Sequence, residues 1–155
     1  MEITPSARLA AMRFVYDGDA AANQEIGLRL ARKAAKCELV VYSKLVIGIT
    51  FHLPNVAGGA PFQIGELGEW TDLDRAILGS VLGRLSADSF LSSGFLLSAV
   101  AVSKTTRRPG EGFKALAREA GLLRSAAEDD FTLFWSNQVN KAYDWYRVHP
   151  PPPEA

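Results

Sequence analysis

The stretch Gly94 to Phe113, GFLLSAVAVSKTTRRPGEGF, constrains the fold more than any other part of the chain. It opens on a glycine. Phe95 to Ser103 then reads as a nine-residue strand, apolar at seven positions and with Phe95, Val100 and Val102 as its β-favouring residues. Both alternating sets of that strand are mostly apolar, so cover on both faces is expected. A polar loop from Lys104 to Arg108 follows. Arg108 precedes a proline and is expected to be extended. Pro109-Gly110 fits the two central positions of a type II turn. Gly112 then leads into a helix near Phe113.

The rest of the chain predicts mostly helices around this strand. Thr4-Pro5 reads as an N-cap and first helical position. Leu9, Met12 and Tyr16 continue that helix, and Gly18 stops it. A second helix is expected from Asp19–Asn23 to Cys37, with Ile26, Leu30, Ala34 and Cys37 as its apolar stripe. Leu39 to Tyr42 is a short β-prone entry. Lys44 to Ile49, which Ser43 is placed to cap, reads equally as strand or short helix. Phe51 to Glu69 is rich in Gly and Pro and reads as an ordered loop, with one extended piece at Phe62-Gln63-Ile64.

Thr71 caps a helix whose buried side is Ile77, Leu78, Val81, Leu82 and Leu85. Asp72 and Asp74 suit the positive end of its dipole. Ser86 to Leu91 reads as a further short helical turn. Phe113, Leu116, Ala117 and Ala120 mark the next helix, and Gly121-Leu122 looks like a Schellman stop. Ser125 to Glu128 has the S-x-x-E form of a capping box. It opens a last helix with Phe131, Trp135, Val139, Ala142 and Tyr146 on one face. These elements predict an α+β fold: one helix-rich domain over residues 1–148 with a small β-sheet or hairpin. Residues 149–155 form a Pro-rich tail expected to be extended and disordered.

Composition removes several functions. The chain has 155 residues, a size that suits one domain able to bury its own core. Its formal net charge is zero, so any nucleic-acid role requires a local patch. The N-terminal sequence lacks the form of a signal peptide, and no apolar run approaches membrane-spanning length. One cysteine, Cys37, rules out an internal disulfide. A cytoplasmic protein without a membrane role is expected.

Catalytic chemistry finds little support in the residues. His52 and His149, with Glu66, Glu69, Asp72 and Asp74, lack zinc or calcium spacing, so no metal is expected. Ser98 and Lys104 share a strand face but lie about 20 Å apart along a strand, too far for a nucleophile and its base. Cys37 has basic neighbours but sits on an apolar stripe without a base, which reads as a buried structural thiol. Gly58-Gly59 and Gly110-Glu111-Gly112 match no phosphate-binding fingerprint, and no cofactor is expected.

The better candidates are basic. Arg29, Arg32, Lys33 and Lys36 recur at i, i+3, i+4 and i+7, a continuous ridge along one helix. Lys104, Arg107 and Arg108 crowd one loop. Together they suit the backbone of a nucleic acid, or a protein partner. A non-enzymatic binding module is therefore the first reading. A small enzyme is the second, with Tyr42, His52, Ser98 and Glu111 as polar groups of a pocket between the central strand and the Gly-rich loop. A subunit that assembles through the aromatic C-terminal helix is the third.

Two resemblances follow from particular residues. Tyr42 to Leu45, Ile77 to Gly79, Leu82-Gly83, LLSAVAVSK (Leu96 to Lys104), PGEGF (Pro109 to Phe113), Phe134-Trp135 and Tyr143 to Tyr146 occur in that order. The order resembles a family of small bacterial proteins with an LSAVVV-K, PG-GF and FW pattern, over about residues 40–147. The likeness implies no activity. The chain is also weakly similar to alkyltransferase-like winged-helix domains. That similarity implies a helix-rich winged architecture only, because the Pro-Cys-His-Arg active-site motif of the group is missing.

Overall fold

A computed structural model describes residues 3–154. In chain order the elements are α1 (Pro5–Ala11), α2 (Ala20–Ala35), β1 (Val40–Val41), α3 (Tyr42–Val46), α4 (Asp72–Ser93), β2 (Ala101–Val102), α5 (Glu111–Glu119) and α6 (Glu128–Val148). Short 3-10 turns form at Ala57–Gly59 and Leu97–Val100. Strands β1 and β2 pair in parallel, Val40 opposite Ala101 and Val41 opposite Val102. The fold is thus α+β with many helices and one minimal sheet. Among the described residues no helix is long and apolar enough to cross a membrane.

Residues 95–102 form the centre of the molecule, but not as the expected strand. Only Ala101 and Val102 are strand, and the partner is a parallel segment some sixty positions upstream rather than a hairpin arm. The buried residues before them bond to side chains instead of a ladder. Leu96 N–H donates to Gln138 Oε1 at 2.8 Å. Leu97 N–H donates to Ser89 Oγ at 3.0 Å, and Ser98 N–H to Ser86 Oγ at 2.9 Å. Ser89 Oγ–H returns to the Phe95 carbonyl at 2.7 Å, and Trp135 Nε1–H donates to the Ala99 carbonyl at 2.8 Å. Two helices, α4 and α6, therefore satisfy a buried backbone that would otherwise need strands on each side. The β-prone sequence reports the burial correctly and the partner wrongly.

Several local signals fold as read. Thr4 Oγ1 accepts from Ala7 N–H with Pro5 at the first helical position. Thr71 and Asp74 close a reciprocal capping box at the start of α4. Gly94 ends α4 in the left-handed region, φ +85°. Gly121, φ +77°, ends α5 with Leu122 N–H on the Ala117 carbonyl and Gly121 N–H on that of Arg118, the Schellman pattern. Phe51 and Phe62 form an antiparallel bridge within the long loop, their rings stacked at 5.6 Å.

Other expectations are corrected. α1 ends at Ala11, well before Tyr16, because Met12 is already extended. Residues 86–91 continue α4 without a break. Gly110 has φ −74°, so Pro109-Gly110 is no type II turn; Gly110 is the N-cap of α5, and Arg107 supplies the left-handed residue at φ +58°. Tyr42 to Val46 is helical, and its N-cap Val41 has no side-chain cap, so Ser43 does not serve as one. Ser125 Oγ accepts from Ala127 N–H, while Ala127 is the N-cap of α6 with no side-chain cap; the S-x-x-E box does not form. Cys37 is exposed at φ +55°, past the end of the α2 stripe rather than buried on it.

Candidate functional site

A groove of about 740 Å³ lies between one face of α4 and one face of α5. The α4 face is Arg75, Leu78, Gly79, Leu82 and Gly83, at helical spacing. The α5 face is Gly112, Ala115, Leu116 and Glu119. Both faces mix large apolar residues with very small ones, which opens space between helices without exposing a polar wall.

Each end of the groove is built by a specific contact. At one end Phe14 lies against Gly83: a Cβ there would stand 2.4 Å from the ring. The ring is steadied by Arg84, whose guanidinium sits 5.3 Å from its centroid and pairs with Asp17 at 2.8 Å. Trp70 lines the groove before α4 begins. Asp74 holds the approach to it, with Oδ2 accepting from Thr71 N–H at 3.0 Å and Gly65 N–H at 3.2 Å. Gly79 is different, since a Cβ there would meet nothing within 4 Å.

The polar end lies where the two parallel strands stop. Beyond the pairs Val40–Ala101 and Val41–Val102, both chains enter the lining as Tyr42-Ser43 and Ser103-Lys104. Tyr42 Oη accepts from Gly110 N–H at 2.8 Å, which ties the start of α5 to α3. Burial raises the Tyr42 pKa above its ordinary value of 10.0, outweighing the opposite pull of that N–H bond. The phenol therefore stays protonated and keeps its O–H as a donor. Ser98, only 5% exposed, also lines the groove. Its Oγ accepts from Ser86 Oγ at 2.6 Å, and no acceptor for its own proton is found among the described residues.

The expected site residues fall into three groups. Tyr42, Ser98 and Glu111 do share one cleft, joined by Lys104. His52 lies elsewhere: its N–H donates to Asp19 Oδ2 at 2.8 Å, and its ring is 3.9 Å from the same carboxylate. Among the described residues no cluster of three His, Cys, Asp or Glu could hold a metal ion.

The basic ridge is the third group, and most of it has internal partners. Arg29 pairs with Glu25 at 3.1 Å and donates to the carbonyls of Lys44, Leu45 and Ile47, the end of α3. Arg32 donates to the Pro152 carbonyl at 3.0 Å and lies 4.0 Å from Glu154, so the C-terminal tail runs across the ridge. Lys33 pairs with Glu38 at 3.4 Å. Arg108 bonds Glu128 at 3.0 Å and Thr132, and lies over the rings of Phe131 and Trp135. For Lys36, Lys104 and Arg107 no ion pair is found among the described residues.

Sequence reading missed Phe14, Trp70, Gly79 and Ser86 as parts of this site. Gly79 and Gly83 at i, i+4, interleaved with Leu78 and Leu82 on α4, were the available sign of a face kept open. Comparison with protein-family models, with curated proteins and with solved structures finds no match to this chain.

Proposed function

We propose that the chain is a small-molecule binding module whose site is the groove between α4 and α5. The observation that carries this reading is the combination of volume and lining. About 740 Å³ is an ordinary size for a ligand site. Apolar walls supply affinity by burying surface, and a few fixed donors supply orientation. Neither histidine nor the cysteine lines the groove, which favours binding over acid–base or nucleophilic catalysis. Of the basic residues named for a nucleic-acid site, only Lys36, Lys104 and Arg107 have no ion pair among the described residues, a weak electrostatic footprint for a polyanion. Neither resemblance, to the bacterial family or to winged-helix domains, bears on this choice.

Gly79 provides the test. A leucine there has open space for its Cβ, keeps a helical residue and projects into the groove. Gly79→Leu is expected to stabilise α4 by about 0.5–1 kcal/mol through helix propensity. It is also expected to weaken binding of a neutral apolar dye by about tenfold or more, by occupying the space the dye needs. Dye fluorescence titration and thermal melting measure the two effects. Unchanged dye affinity in a folded Gly79→Leu protein would overturn the proposal.

A further inference from the structure

We infer that the natural ligand of the groove is a medium-chain monocarboxylate, with its alkyl chain between α4 and α5 and its carboxylate at the Tyr42–Lys104 end. This rests on the small-molecule reading above and names the ligand class. Three donors at the lining have no acceptor among the described residues. The Tyr42 hydroxyl accepts from Gly110 N–H, so its proton is available. The Ser98 hydroxyl accepts from Ser86, so its proton is available as well. Lys104 brings an ammonium with no ion pair among the described residues. The lining also holds two carboxylates, but Glu111 lies beside the Lys114 ammonium at 3.9 Å and Glu119 sits on the last turn of α5, so the unmatched donors at the Tyr42–Lys104 end select an acceptor-only head group, and an ionised carboxylate is one.

The charges around the groove set the number of negative charges and their position. Arg75 is paired with Asp72 at 3.2 Å, and Glu111 lies 3.9 Å from Lys114. Lys104 is the one lining cation left uncompensated among the described residues, which suits a single negative charge rather than the double charge of a phosphate monoester. Glu119 lines the groove on the last turn of α5, where the Arg8 guanidinium bonds its carbonyl and so places that turn beside α1. A carboxylate is therefore disfavoured at that position. The α4 face from Arg75 to Gly83 spans about 12 Å at the helical rise. An extended chain of roughly eight to ten carbons covers that length.

Isothermal titration with decanoate, decanol and decylamine at neutral pH tests the inference. The variants are Lys104→Met, which touches an exposed side chain, and Gly79→Leu. Decanoate is expected to bind about tenfold more tightly than decanol, and decylamine more weakly than either. Lys104→Met should erase the preference for decanoate and leave decanol unchanged. Gly79→Leu should abolish binding of all three. Decanol or decylamine matching decanoate, or a preference that survives Lys104→Met, would overturn the carboxylate and leave the groove standing. Binding of none of the three to a protein that still binds the neutral dye would also overturn the carboxylate alone. If neither the dye nor any decyl compound binds, the groove itself is overturned.

Discussion

Two clefts of the molecule use polar groups in opposite ways. The groove between α4 and α5 is walled largely by apolar and very small residues, and among the described residues no acceptor is found for the hydroxyl protons of Tyr42 and Ser98. The cleft between α2 and the C-terminal tail is larger, about 940 Å³, and lined by Arg29, Arg32, Lys33, Lys36 and Lys44. Yet most of its ridge cations already hold carbonyls or carboxylates of the same chain. Density of charge along a helix thus says little about availability. Arg29 serves the end of α3, where exposed carbonyls give a negative pole that a guanidinium compensates.

Three variants separate the clefts. The largest effect is expected beneath the first groove. Ser89→Ala removes the acceptor of Leu97 N–H and the donor to the Phe95 carbonyl, both buried. It should cost roughly 2–3 kcal/mol in urea unfolding, since orphaned buried groups pay their desolvation in full. A loss below about 0.5 kcal/mol would mean another group replaces the serine.

Arg29→Met is next. It keeps the aliphatic stem and removes the bonds to Glu25 and to three carbonyls. A loss of about 2 kcal/mol is expected, with no change in ligand affinity at the α4–α5 groove. A folded variant with unchanged stability would make Arg29 available for an external partner and blur the contrast. Removal of residues 150–154 should have the smallest effect, below about 0.5 kcal/mol, because the contacts it loses are exposed. The truncated protein should still fail to retain duplex or single-stranded nucleic acid at low salt. Salt-sensitive retention that appears on truncation would make the tail a cover over a real polyanion site.

These contrasts also explain what could be read from the residues alone. The caps at Thr4 and Thr71 and the Schellman stop at Gly121 were legible because all their partners lie within a few positions. The centrality of residues 95–102 was legible from their apolarity. Their conformation was not, because the groups that bond them come from Ser86, Ser89, Trp135 and Gln138 on two other helices. The hydroxyls of Ser86 and Ser89 at i, i+3 on an apolar helix face, and Gln138 between Trp135 and Val139, were the only local hints. Of the groove, Tyr42, Ser98 and Glu111 were anticipated together with His52, which lies elsewhere, while the internal partners of the ridge were not legible because they are backbone carbonyls and a distant tail, invisible to a charge pattern.

The side-chain bonding of residues 95–98 has a consequence for the chain before and after it folds. A run of β-prone apolar residues with free backbone groups is the kind of segment that recruits copies of itself into cross-β stacks. Here its amides are claimed by serines on α4 and a glutamine on α6, and both helices must be in place before the segment is fully satisfied. Protection against self-association therefore requires both helices and depends on a few small hydroxyls and one amide. A mutation at Ser86 or Ser89 would weaken the native state and, in the same stroke, leave amides of this β-prone apolar run without their acceptors.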